Sequence, residues 1–407
     1  MKEWLHKKQR RWFVVAGVTV VVFIASATVA ALVYTTSTSQ PASAPAAEHA
    51  PAAPQPASAS SNTLFFGNIF WGRYINDWSM ASPLKTAYPF SRLNEFDRDK
   101  YDAWIAGLEC PTVAGFTQTS AEEDSMLSFN CSPDYLPEAA KWFDIFTLAN
   151  NHTDNRGDEG FVETKEHLDA NGIQYFGHYD PRELNDICEV VTLPVKVTYD
   201  DASVKEQSLP VAMCGYHGVF RIPSQESLAV MEEYSKLMPV IAMPHMGVEY
   251  EPAPDSLKTN TYRSMIDHGA DVVLGDHPHW VQNTESYKGR LIVYSMGNFI
   301  FDQQGATEIE RSAAINIVLS VKDVEASQLN SWLALGDSCK AFHDDCLAQV
   351  QAKGLSKLPY TYQFGVVGTN DSAKITKPAT PDQQAAILQR MDWANTMTQL
   401  QYPYSSL

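Results

Sequence analysis

The sequence predicts an α/β fold, and three observations predict it. Short apolar runs bounded by polar turns recur along the chain: residues 143–149, 240–243, 271–274 and 291–295. Between them lie stretches of helical spacing. Gly160 to Asn171 puts Phe161, Thr164 and Leu168 on one face with Gly172 as its stop, and Tyr262 to His268 is a second such stretch. Polar residues with chemical potential follow the strands directly, where α/β folds build ligand sites.

The chain has 407 residues, 44% of them hydrophobic, enough for a sizeable core. With 48 Asp plus Glu against 30 Lys plus Arg, its formal charge is -18, which argues against a nucleic-acid partner. The basic cluster, Lys2, Lys7, Lys8, Arg10 and Arg11, stands directly before an uncharged run of 23 residues from Trp12 to Tyr34. At ~1.5 Å per residue such a run crosses a hydrocarbon core of ~30 Å. The expectation is a cytoplasmic tail over 1–11, a transmembrane helix over 12–34, and everything after it outside the cell membrane. The rival reading is a signal peptide cleaved near Ala25-Ser26-Ala27; the length of the apolar run favours a retained anchor.

Residues 35–62 are rich in Ala, Pro, Ser and Thr and read as a disordered, semi-rigid linker. The folded domain is expected over 63–323, opening on the strand Leu64-Phe65-Phe66. A C-terminal extension packed on it is expected over 324–407, with a helix from Pro381 to Leu400. All six cysteines, Cys110, Cys131, Cys188, Cys214, Cys339 and Cys346, follow the apolar run. An even count in an exported domain, with no CxxC pair, suggests disulfides. Sequential pairing closes the shortest loops: Cys110 with Cys131, Cys188 with Cys214, Cys339 with Cys346.

Five polar clusters occupy strand ends: Gly67 to Arg73, Gly107 to Pro111, Ala149 to His152, Met243 to Tyr250, and Gly275 to His279. Singly, each has a plain structural explanation, an Asn cap or an ion pair. His277-Pro278-His279 is the most specific, since two imidazoles at i and i+2 reach the same rim and His is the commonest metal ligand.

The order of these motifs resembles the CapA family of poly-gamma-glutamate capsule biosynthesis proteins, a branch of the metallophosphatase-like fold. LANNHTDNRGDEGFVETKEHLDANGIQYFGH, MPHMGVEYEP and GADVVLGDHPHWVQNTESYKGRLIVYSMGNFIFDQ carry the resemblance, which covers about Leu64 to Ile317. It implies a metallophosphatase-like αββα sandwich. It implies divalent metal, Mn, Fe or Zn in one or two sites, held by Asn68, Glu109, Asn151, His245, His277 and His279. His152 would be the catalytic acid or leaving-group stabiliser, Arg73 an anion-binding residue, and Asp276 and Glu249 outer partners of the ligands. Three departures stand out. The family's Gly-Asp is Gly67-Asn68, which keeps a carbonyl oxygen but loses a charge. Its Asp three residues after the motif His is Asn155, and a His common before His-Pro-His is Asp276, which could restore an anionic oxygen near the metal or orient His277.

The resemblance implies a role in making, exporting or attaching poly-gamma-glutamate or a related polymer beside a membrane synthase, either as a metal-dependent hydrolase of an anionic polymer or phosphoester or as a non-hydrolytic polymer-handling component. The alternative is a metal-poor cell-surface binding module on a decayed fold, which Asn68 favours.

Overall fold

The computed structural model describes residues 53–341 and 343–407. The apolar run Trp12–Tyr34 and the basic residues before it lie outside the described residues. Among the described residues no helix is long and apolar enough to cross a membrane.

Fifteen strands are described: β1 (Pro56–Ile69), β2 (Ala103–Leu108), β3 (Ile145–Thr147), β4 (Gln174–Phe176), β5 (Cys188–Tyr199), β6 (Val204–His217), β7 (Val240–His245), β8 (Val272–Leu274), β9 (Thr284–Tyr287), β10 (Arg290–Val293), β11 (Asn298–Ile300), β12 (Arg311–Val321), β13 (Tyr360–Asn370), β14 (Lys377–Pro378) and β15 (Tyr404–Ser406). They form one mixed sheet that forks at β1. Along its first half β1 is antiparallel to β5 on one side and to β12 on the other, with Ala59 opposite Val197 and Val321. Along its second half the neighbours change to parallel β2 and β11, with Asn68 opposite Gly107 and Asn298. One arm continues through β5, β6, β7, β8, β10 and β9; the other runs through β2, β3 and β4.

The burial of β1 follows its neighbours. Residues 56–62 alternate between buried and less buried, as a strand covered on one face does; from Thr63 every residue is buried. The linker expectation is corrected here, because Pro56–Asn62 belong to β1. Small Ser and Ala side chains make this segment look unstructured, but β5 and β12 supply the ladders and apolar surface it lacks. The C-terminal segment also differs from an appended extension. β13 pairs along its whole length with β12 and is a member of the sheet. The expected helix over Pro381 to Leu400 is two, Pro381–Arg390 and Trp393–Thr398, divided where Asp392 turns left-handed (φ 51°).

Two apolar cores fill the fork. The larger lines the long arm, with Val211, Met213, Ile241, Val273, Ile292 and Ile317 among its members. The smaller is aromatic: Phe66 stacks on Phe299 at 4.0 Å and meets Trp104 edge-on at 4.8 Å. Truncating Trp104 to Ala would cost about 3–5 kcal/mol, since it leaves a cavity at the centre of that cluster.

The three sequential disulfides are present, with Cα separations of 5.8 Å for Cys110–Cys131, 4.0 Å for Cys188–Cys214 and 5.0 Å for Cys339–Cys346. Cys188 and Cys214 face each other across the β5–β6 ladder. Cys110–Cys131 ties the segment after β2 to the loop whose Cys131 N–H binds the Pro111 carbonyl. Replacing Cys110 and Cys131 together by Ser should lower unfolding free energy by about 2–4 kcal/mol in denaturant titration. An unchanged midpoint would show that the loop is held without the bridge.

Candidate metal centre

The carboxyl ends of β1, β2, β7 and β8 meet where the sheet forks, and each delivers a buried polar side chain. Asn68 is the last polar residue of β1 and is fully buried. Its Nδ2 donates to Asn298 Oδ1 at 3.3 Å, which leaves Oδ1 facing inward with no donor. Glu109 follows β2 directly, its N–H bound to the Ile69 carbonyl at 3.0 Å. It is 1% exposed, and neither carboxylate oxygen has a hydrogen-bond donor. Asp276, just past β8, is buried with both carboxylate oxygens unpartnered as well. Buried oxygens left without donors cost about 1–3 kcal/mol each, more when charged, so three such side chains at one place mark a site for a cation or ordered water.

The histidines supply nitrogen to the same place. His245 Nε2 lies 2.8 Å from Asn151 Oδ1, 3.1 Å from His277 Nδ1 and 3.7 Å from Glu109 Oε1. His279 Nδ1 meets Asn298 Oδ1 at 2.8 Å, and its Nε2 is 3.8 Å from Glu249. Two groups have metal-ligand spacing, each with its donor atoms within 4.8 Å of one another: Glu109 with His245 and His277, and Glu249 with His277 and His279. His277 is shared between them. Glu249, expected as an outer partner, thus stands in a ligand position at the exposed rim. Both His277 (φ 90°) and His279 (φ 61°) occupy the left-handed region, which aims their rings inward at a backbone cost.

Electrostatics follow burial. Desolvation lifts the Glu109 carboxyl to about 7 against the opposing pull of His279. Desolvation also lifts Asp276 well above the carboxylate range, with Glu109 adding repulsion. Burial and neighbouring imidazoles hold His245 and His277 neutral. Burial opposes charge on His279 too, but Glu109, Glu249 and the Asn298 hydrogen bond override it and hold that pKa up to about 9. His245 and His277 are thus ready to ligate, whereas Glu109, Asp276 and the cationic His279 would release protons as a divalent ion binds.

His152 sits beside this centre on a turn built by Asn150. The Asn150 side chain accepts from the backbone N–H of His152 at 2.9 Å and of Thr153 at 3.0 Å, and donates to the Leu108 carbonyl at 2.7 Å. Asn155 Oδ1 accepts from the Phe129 N–H at 2.8 Å, so it also accepts from His152 Nδ1 at 3.0 Å. The proton therefore rests on Nδ1 and Nε2 is an acceptor. Burial pushes the imidazole pKa down to about 4. The tautomer and low pKa do not suit the expected general acid, because the group carries no proton to give from Nε2.

Arg73 is corrected likewise. Its Nε and Nη2 grip Asp302 at 2.9 and 2.7 Å, Nη1 reaches Asp124 at 3.1 Å, and the guanidinium lies 4.3 Å from the Phe129 ring centroid. It is a buried brace beneath His152, with its charge committed to carboxylates rather than open to substrate. Sequence reasoning missed two residues. Asn298, inside the quoted Tyr-Ser-x-Gly-Asn-Phe block, orients both Asn68 and His279. His217 ends β6 in register with His245, and donates from Nδ1 to the Tyr179 carbonyl at 2.6 Å. Its position after a buried strand was the available signal.

In chelator, Glu109→Gln should stabilise the fold relative to wild type, and only at higher pH. A carboxyl raised in the folded state adds stability below its unfolded pKa and loses it as pH rises through about 7. The wild-type minus Glu109→Gln difference in urea denaturation should therefore grow by up to about 3 kcal/mol between pH 5 and pH 8, against the wild type. A flat difference would mean that the carboxylate is already paired.

The model of the family described as Bacterial capsule synthesis protein PGA_cap matches residues 62–303, which include every residue of this centre. Capsule biosynthesis protein CapA of Bacillus anthracis is 24% identical over 258 residues, 61% of this chain and 61% of that protein. PGA biosynthesis protein CapA of Bacillus subtilis (strain 168) is 25% identical over 276 residues, 62% of this chain and 66% of that protein. The matches thus span less than two thirds of either relative's own length.

Proposed function

The chain belongs to the PGA_cap family of bacterial capsule synthesis proteins, and from that premise we propose that it acts in the synthesis, export or attachment of a capsule polymer through a metallophosphatase-like hydrolytic centre. One observation carries the reading: the unpartnered buried oxygens of Asn68, Glu109 and Asp276 share a strand-end cluster with His245, His277 and His279. Mixed imidazole and carboxylate donors suit Mn, Fe or Zn better than the all-oxygen cages of Ca. Asn68, Glu109, Asn151, His245, His277 and His279 would hold the ion or ions, with Glu249 at the rim. A bound divalent ion would supply Lewis-acid polarisation of a phosphoryl or carbonyl oxygen and would acidify a water.

The chain's own side chains supply the rest. His152, neutral with Nε2 as acceptor, suits orienting a water or hydroxyl by accepting a hydrogen bond from it. Asn155 fixes that tautomer, and the Phe129 ring, 4.2 Å from the imidazole, limits water on one side. Asn298 holds His279 and Asn68 in mutual register. The substrate class that fits is an anionic polymer or a phosphoester, and the two named relatives act in capsule and PGA biosynthesis. On this reading the domain would work outside the cell, held by the apolar run 12–34 and beside a membrane synthase. A second reading, a metal-poor binding module, is favoured by the neutral amide at position 68.

Metal analysis of the full chain purified in detergent tests the proposal. Near-stoichiometric Mn, Fe or Zn is expected, lost in the His277→Ala, His279→Ala double variant; a metal-free protein would instead support the binding module. Topology is tested separately. Protease added to intact cells should remove everything beyond the linker, and a protected C-terminus would reverse the orientation.

A further inference from the structure

Resting on that metal-centre reading, we infer that Asp276 supplies, from the end of β8, the anionic ligand that Asn68 leaves neutral at the end of β1. The two side chains address one space. A Cβ on Gly107 would stand 3.7 Å from Asp276 Oδ2 and 3.9 Å from Asn68 Oδ1, and a Cβ on Gly67 would stand 3.2 Å from the same Asp276 oxygen. Asp276 Oδ2 and Asn68 Oδ1 therefore both lie over Gly107, and the same Asp276 oxygen also lies over Gly67. Neither oxygen has a donor, and both residues are buried.

Other roles for Asp276 fail on geometry. It does not orient His277, whose Nδ1 faces His245 Nε2 at 3.1 Å. It is not half of a direct ion pair: Lys258, also buried, sends its ammonium to the Asp276 backbone carbonyl at 3.5 Å and to Gln282 Oε1 at 3.2 Å, and acts on the carboxylate only through space. It does not cap the backbone: the His277 N–H lies near enough to pull the Asp276 pKa down, but no N–H reaches either oxygen with good hydrogen-bond geometry. Asp276 belongs to neither of the two three-residue groups around His277. It stands on the Asn68 side, where the cluster otherwise presents an amide. A divalent ion held there by Asn68 and His279 would have Glu249 beside His279 and Glu109 nearby, but no anionic oxygen on the Asn68 side; Asp276 provides one. The anionic ligand has moved between strand ends while the oxygen still reaches the same space.

The test is a charge-exchange cycle on the full chain in detergent, titrated with Mn2+ and, separately, Zn2+, with affinity read by calorimetry and by the gain in Tm on metal addition. Asp276→Asn should weaken binding by more than the roughly 10–100-fold typical of an outer partner, and should erase most of the Tm gain. Asn68→Asp in the Asp276→Asn background should restore affinity to within about tenfold of wild type, because it returns the charge to β1. In chelator, Asp276→Asn should not lower Tm, since it removes an unpaired buried carboxylate; this separates lost binding from lost folding. Wild-type affinity in Asp276→Asn, or a double variant no tighter than Asp276→Asn alone, overturns the inference while leaving the metal centre in place. A wild-type chain that binds neither ion overturns both.

Discussion

Strand β1 is the constraint on which the rest of the molecule depends. It is the one strand shared by both arms of the sheet, and its neighbours change from β5 and β12 to β2 and β11 partway along its length. That exchange opens the fork, and the open fork is where strand ends from both arms converge. Asn68 sits at the divergence, opposite Gly107 on one side and Asn298 on the other. The small residues there follow from the geometry. Gly67 already lies against the Gly297 carbonyl, where a Cβ would approach to 1.9 Å, so no side chain fits at the fork without moving backbone.

The polar cluster at the fork is destabilising in isolation. Burial and Glu109 raise the pKa of Asp276, and Lys258, driven down by burial to about 7, lowers it only in part. A packed fold tolerates this only if the large core and the aromatic core outweigh it, and only if a ligand relieves it in the working state. Three disulfides tie the same framework, one of them immediately after Glu109. Burial, cross-links and unpaired acceptors are thus parts of one balance, in which rigidity around the site permits charges that a looser fold would expel or hydrate.

Much of this was legible in the sequence, for reasons that particular residues make clear. Strand ends were legible because apolar runs such as Val240–Met243 stop at polar residues, and five such stops in order carry more information than any one. Sequential disulfides were legible because each pair is local. Pro56–Asn62 were not: a Ser/Ala strand takes its apolar cover from β5 and β12, which are distant in sequence. Arg73 was misjudged because its partners, Asp302 and Asp124, lie far along the chain. The tautomer of His152 depends on the Phe129 N–H turning the Asn155 amide, a contact that spacing cannot show. Local pattern reports where polar groups emerge from the sheet; what they touch is decided by non-local packing.

The turn after β8 shows how such a site is kept. Non-glycine residues at left-handed φ cost of order 1–3 kcal/mol each and persist only where surroundings over-determine them. Here His277 and His279 both pay that cost within three residues. Backbone bonds from β7 and the loop after it hold the turn: Asp276 N–H to the Pro244 carbonyl at 3.0 Å, Met246 N–H to the Asp276 carbonyl at 3.3 Å, and Tyr250 N–H to the Pro278 carbonyl at 2.9 Å. Each of these bonds joins the His245 segment to the His277–His279 segment, so the clamp that enforces the strain also fixes the spacing between the two sources of imidazole. A glycine at position 277 or 279 would relieve the backbone but remove the ring, and a relaxed φ would turn the ring out of the cluster. Strain, clamp and ligand spacing are therefore one feature, and it explains why two histidines stand where glycine would be the easier choice for folding alone.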